Sequence, residues 1–304
     1  MHIELLSSSL NAGKKKVTNI QSFNLAMLLS VILLNNRVCW SDVEITTLGK
    51  LTKKSTWWFY AKSSLPWDQL FKESISTIIK TYNLNEGALA IDDTDNPRCK
   101  KTPMIAYTHK YFDKKTSGYK NGQQLVFLVL VTEKVTFPVG YIFYEADLAI
   151  TQWKKEDKKL IAQGVDKKER PKRPKASEGH QSMTQLGAKL VKDFKDSFPE
   201  FKIKAVLADA LYGSNSFFED MQQNKIPQLI SVLKKDQKLT HDKKDYKVHE
   251  FFEQVYKPIA GKVTLRGGRE KSIMYRAARV HVNAHGGKRI VIAMKYEEQS
   301  DYVA

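Results

Sequence analysis

Apolar positions in this chain change their spacing twice. Through residues 1–86 they recur at helical intervals. Leu25, Leu28, Leu29, Ile32 and Leu33 fall on one face of a helix that Ser22 can cap. Ser41-Asp42 offers a second cap before Ile45 and Leu48, Gly49 interrupts, and the pattern resumes at Leu51. Helix, glycine turn and helix have the order of a helix-turn-helix, a weak signal that many small helical domains share. Trp57-Trp58-Phe59-Tyr60 reads as core rather than as a platform for stacking bases. Ser63-Ser64-Leu65-Pro66-Trp67 starts a further helix through Leu70, Phe71, Ile75, Ile78 and Ile79.

From Gly87 the period becomes that of strands. Ala88 to Thr94 is an apolar run ending in Asp92-Asp93-Thr94, and Asp113 to Gly118 is a polar turn. Residues 124–132 (QLVFLVLVT) form a strand buried on both faces, and residues 137–144 return beside it. Residues 154–175 are basic, polar and proline-bearing, and read as a mobile loop. Ser182 opens an amphipathic helix with Leu186, Leu190, Val191 and Phe194 inward. A strand from Ile203 ends at Asp209, a helix starts at Ser214, and residues 227–233 form a buried strand. That alternation marks an α/β layer. Beyond Lys234 the pattern shifts again, to short strands over 247–256, 262–265, 273–282 and 289–294 with Gly267-Gly268 and Gly286-Gly287 at turns. The division is therefore 1–86 helical, 87–233 α/β and 234–304 β-rich.

Charge adds a partner class. Lysine and arginine number 50 against 33 acids, a formal net charge of +17 in 304 residues, which favours a polyanion such as nucleic acid. Lys167, Lys168, Arg170, Lys172, Arg173 and Lys175 are the candidate contacts to a phosphate backbone. Two cysteines, Cys39 and Cys99, build neither a disulfide framework nor a zinc site, and a reducing compartment fits. The apolar run 23–34 is too short to span a bilayer and lacks a small-x-small cleavage site, so no membrane is expected. No Gly-x-x-x-x-Gly-Lys-Ser/Thr loop is present, and no nucleotide cofactor is expected. His281 and His285 are four apart but lie on a strand and in a turn, which is not helical ligand geometry for zinc.

The acids carry the chemistry. Asp93 and Asp209 each end an apolar strand, where α/β proteins present ligand-binding groups. On neighbouring parallel strands two carboxylates repel unless a cation lies between them, and hard Mg²⁺ or Mn²⁺ suits oxygen ligands. Such a pair of ions can activate a water or a 3′-hydroxyl against a phosphodiester. Taken singly, each aspartate also reads as an ordinary turn residue.

Ile91-Asp92-Asp93-Thr94, His109-Lys110 with Asp113 to Tyr119, Leu128 to Thr132 followed by Phe137-Pro138-Val139-Gly140, the Lys-Glu-Arg-Pro tract at 168–171 and Leu207-Ala208-Asp209-Ala210-Leu211-Tyr212-Gly213 together resemble the DDE transposases of bacterial insertion sequences. The likeness covers about residues 85–304. It implies an RNase H-like α/β fold, a mixed sheet ordered 3-2-1-4-5 with flanking helices, a helical N-terminal domain and a β-rich insertion. It also implies that Asp93, rather than Asp92, is the first metal ligand and Asp209 the second. The family's third ligand is a glutamate in a helix marked by Tyr, Arg, Glu and Lys. After Met294 only Glu297 and Glu298 follow, in a stretch too short for a docked helix. The resemblance therefore implies a C-terminally truncated enzyme with impaired catalysis.

Cut-and-join phosphoryl transfer on DNA is thus expected, with Mg²⁺ or Mn²⁺ as cofactor. Element ends and target DNA are the partners, a homodimer is an open option, and the setting is the cytoplasm at the bacterial nucleoid. A Mg²⁺-dependent endonuclease of the same fold is one rival. A non-catalytic DNA-binding inhibitor of the parent element is another.

Overall fold

The computed structural model describes residues 17–37, 39–98, 105–113, 115–234, 236–265 and 267–296. Cys99, Glu297 and Glu298 lie outside them. The chain divides into two compact units, Met1–Leu84 and Asn85–Ala304.

The first unit holds helices α1 (Asn19–Asn35), α2 (Trp40–Thr46), α3 (Lys53–Lys62) and α4 (Trp67–Thr81). Thr18, not Ser22, caps α1: its side chain accepts from the Gln21 amide, and the Gln21 side chain accepts from the Thr18 amide. Nor does α1 bury the expected face, since Val31 is buried while Leu29 and Leu33 are exposed. A run apolar nearly all round gives periodicity little power to choose a side. Gly49 takes the left-handed conformation (φ 78°) between α2 and α3, and Thr52 caps α3. The aromatic run splits, with Phe59 buried but Trp57 and Trp58 exposed, contrary to a shared core role. Tyr60 stacks on Trp40 at 5.4 Å, and burial pushes its phenol up to about 12. Among the described residues no single helix is long and apolar enough to cross a membrane.

The second unit is mixed α/β with two sheets. The first contains β1 (Glu86–Arg98), β2 (His109–Asp113), β3 (Gly118–Val131), β4 (Thr136–Phe143), β5 (Lys202–Ala208) and β6 (Leu229–Ser231). Strand β3 pairs antiparallel with β1, and its other edge is shared by β2 and β4. Across β1 lies β5, parallel, followed by β6, also parallel. The path β4-β3-β1-β5-β6 is the 3-2-1-4-5 order of the RNase H-like fold, with β2 added beside β3.

Strand β1 runs well past its acids. Its pairing with β5 ends at Ile91↔Ala208, while pairing with β3 continues to Arg98↔Asn121. Gly122 permits the extension, because a Cβ there would meet the Asn96 carbonyl and lie 2.9 Å from Pro97 Cα. Helix α6 (Met183–Ser197) packs on β1, β3 and β4 through Leu186, Leu190, Val191 and Phe194, and Ser182 caps it as the sequence indicates. Strand β6 is shorter and less buried than expected, with Ile230 about half exposed.

The basic tract is not a mobile loop in its first part. Residues 154–162 complete helix α5 (Leu148–Ala162), whose N-terminus Asp147 caps through Ile150. The coil beyond is tied back: Trp153 Nε1 donates to the Pro171 carbonyl (2.8 Å), and the Ser177 amide donates to Asp147 (2.6 Å). Lysine stems along a helix hide its period from a composition-based reading.

After β6 and helix α7 (Asn215–Gln223), which precedes it, comes the second sheet: β7 (Lys238–His241), β8 (Lys244–Lys247), β9 (Ile259–Thr264), β10 (Glu270–Val282) and β11 (Gly287–Tyr296). Residues 248–254, expected as strand, are helix α8 (Val248–Gln254). Val248, Phe251 and Phe252 have helical spacing, and all three are buried against Val280, Val282 and Val291 of the sheet.

Candidate active site

The end of β5 pairing opens a notch beside β1, and three carboxylates occupy it. Asp92 and Asp93 stand on β1 just beyond its last bridge to β5, and Asp209 follows the last residue of β5. One oxygen from each lies within 4.8 Å of the others. This is the switch point of the sheet, where strand neighbours go separate ways and leave room for a ligand.

The two predicted acids are thus brought together, with Asp92, which the resemblance sets aside in favour of Asp93, as a third. Asp92 is exposed, and its Oδ1 accepts from the Asp93 amide at 2.9 Å. Adjacent positions in a regular strand point to opposite faces. Here β1 has lost one neighbour, and the carboxylates of both adjacent positions still come within 4.8 Å of Asp209. Only a comparison of strand lengths could have shown this in sequence.

Asp93 is the partly buried member. Its pKa is raised, first by loss of solvent and then by the charges of Asp209, Asp92 and Asp95. Among the described residues, the charges acting on it are all carboxylates. Asp209 belongs to a braced loop: its Oδ1 accepts from the Leu211 amide (2.8 Å), and its carbonyl accepts from Ser231 Oγ (2.8 Å). Tyr212 lies beneath with its ring fully buried and its hydroxyl unpartnered. Burial raises this phenol, and Asp93, Asp209 and Asp92 raise it further, so it stays neutral beside them. Gly187 on α6 makes room for the ring, since a Cβ would stand 2.8 Å from Tyr212 Cε1. The sequence motif around Asp209 includes Tyr212 but gives it no role of its own.

Asp95 continues the row on β1. It accepts from Gln124 Nε2 (2.9 Å), and Gln124 Oε1 meets His109 Nε2 (2.9 Å). Three carboxylates closing on one point, with like-charge repulsion and no counter-cation among the described residues, fit a hard divalent ion.

A family model described as DDE superfamily endonuclease matches residues 48–250. The chain belongs to this family. Both Asp93 and Asp209 fall inside the match. DDE superfamily enzymes act on DNA and generally use divalent metal ions. No curated protein shows a match to the chain.

The predicted DNA contacts lie apart in kind. Lys167, Lys168, Lys172, Arg173 and Lys175 are exposed. Arg170 instead pairs with Asp157 at 2.9 Å, and both side chains are largely covered. Its charge holds the coil to α5. His281 and His285 also differ: His281 is on β10, while His285 is buried in the turn Asn283–His285.

Proposed function

We propose that this protein breaks DNA phosphodiester bonds at the notch formed by Asp93, Asp209 and Asp92, and joins DNA ends there in the manner of an insertion-sequence transposase. The observation that carries the reading is the half-buried Asp93, its pKa raised by burial and by Asp209 and Asp92. Such a group is strained when the notch is empty and relieved when a cation enters.

Asp93 would hold the ion from the sheet side, and Asp209 from its braced loop. Asp92 supplies the third carboxylate, with its backbone-facing oxygen already fixed by the Asp93 amide. When bound, Mg²⁺ or Mn²⁺ supplies positive charge at the phosphate oxygens and favours deprotonation of the attacking hydroxyl. The chain's own share is placement: the β1 edge leaves one side of the notch open to DNA, and the neutral Tyr212 hydroxyl sets a polar floor. The exposed lysines after α5 provide the phosphate-backbone contacts.

Incubation of supercoiled plasmid with the protein and Mg²⁺ tests this. Nicked or linear product that disappears in both Asp93→Asn and Asp209→Asn supports the reading, and cleavage indifferent to the metal or to both substitutions overturns it. Addition of a labelled duplex with a free 3′-hydroxyl separates the two chemistries: label entering the plasmid indicates strand transfer, and cleavage alone indicates an endonuclease.

A further inference from the structure

We propose that His285, in the second sheet, is a positioning residue for the metal-ligand loop that carries Asp209. This rests on the proposed metal-holding role of Asp209. The imidazole is 4% exposed, and its Nε2 lies 2.9 Å from the carbonyl oxygen of Gly213, 72 residues away in sequence. A carbonyl can only accept, so Nε2 carries the proton and donates. The other ring nitrogen is buried without a partner. Burial holds the imidazole below its ordinary value, so it stays neutral in this form.

The seat of the ring is specific. Phe218 of α7 packs against it with centroids 4.8 Å apart, and the Arg289 guanidinium lies 4.8 Å from the same phenyl ring. The histidine reaches this seat from the tight turn between β10 and β11, where Gly286 adopts φ 57°. Gly213 closes the segment that starts at Asp209 and ends at Ser214, the cap of α7. The near end of that segment is tied to the first sheet through Ser231. The far end is tied to the second sheet through His285. Release of the far end frees Gly213 and, through Tyr212, the orientation of Asp209. A bare carbonyl left in that buried place would also seek another donor.

The test is Mn²⁺ affinity, measured by calorimetric titration on the full chain. Wild type and Asp209→Asn come first: saturable binding that Asp209→Asn weakens establishes the metal role on which the inference depends. No such difference defeats that role, whatever His285 does. Given it, His285→Phe and His285→Leu, which keep bulk but lose the donor, should weaken Mn²⁺ binding roughly tenfold, the lower end of the range for outer partners of metal ligands. His285→Gln, whose amide can still donate, should recover most of that loss. If neither donorless variant folds by near-UV circular dichroism, Phe218→Leu carries the test. It removes one wall of the seat while keeping the loop's hydrogen bonds, and a few-fold weaker affinity supports the role. Wild-type affinity in a folded donorless variant, or in Phe218→Leu where those do not fold, overturns it. A Gln variant no better than a folded Phe variant does so too.

Discussion

Asp93 and Asp147 are both aspartates of the second unit, one within β1 and the other capping α5, yet their surroundings push them in opposite directions. Asp147 accepts from the amides of Ile150 and Ser177 and from the Ser177 hydroxyl, which hold it down to about 2. Asp113 behaves similarly: Lys120, Thr116 and the Lys115 amide hold it to about 2. Asp93 is raised by burial and by three neighbouring carboxylates. Asp147 and Asp113 are satisfied by the fold, whereas the charges that face Asp93 among the described residues are all carboxylates. A carboxylate that finds its donors within the protein reads as architecture. One that finds only like charge reads as a site.

The sharpest way to break that contrast is to exchange carboxylate for amide at each place. Asp93→Asn and Asp209→Asn should reduce Mg²⁺-dependent plasmid cleavage to background with the fold intact, read by gel and by circular dichroism together. Asp147→Asn and Asp113→Asn should retain metal-dependent cleavage wherever they remain folded. Their loss should appear in thermal stability instead, as a lower melting midpoint at neutral pH.

A smaller effect has the opposite sign. Without divalent metal, Asp93→Asn should melt above wild type, because the amide carries none of the charge that burial and the neighbouring carboxylates oppose. Mg²⁺ should raise the midpoint of wild type more than that of the variant. The pH dependence separates the two kinds of acid as well. Asp93 binds its proton more tightly folded than unfolded, so metal-free stability falls as pH rises from the ordinary aspartate value through the raised folded one. That fall should be absent from Asp93→Asn. Asp113 and Asp147 have depressed folded values, so their contribution is present above the ordinary carboxylate value and is lost as pH falls towards 2. Differential scanning fluorimetry from pH 2 to 8 reads both.

The smallest effects concern DNA affinity. Neutralising Lys167, Lys168, Lys172, Arg173 or Lys175 singly should weaken binding modestly and reduce the salt slope by about 1 for each true phosphate contact. Arg170→Ala should chiefly lower stability, because Asp157 loses its partner. A fluorescence-anisotropy titration at several salt concentrations separates these outcomes.

The strands on either side of the notch are legible in the sequence, because two apolar runs of strand length each stop at acids, Asp92-Asp93 in one and Asp209 in the other. Helix α6 was equally plain from Ser182 and its four inward residues. What escaped detection depends on tertiary partners. Asp92 joins the notch because β5 pairing ends one residue earlier, and no local pattern records where a neighbour stops. Helix α8 reads as strand because Val248, Phe251 and Phe252 all favour strands, and only their packing against β10 and β11 decides for helix. Arg170 looked like its basic neighbours until Asp157, thirteen residues away on α5, claimed it. The role of His285 needs Gly213, a contact that spacing cannot suggest.

Crystals grown with Mn²⁺ give the most direct test of the central claim, through anomalous scattering near the manganese edge. The expected result is a peak among the carboxylates of Asp93, Asp209 and Asp92, with oxygen distances near 2.0–2.2 Å on the order typical of small divalent ions. Asp113 and Asp147 should carry no peak. An empty notch at saturating Mn²⁺, with all three carboxylates ordered, would contradict the assignment of this site.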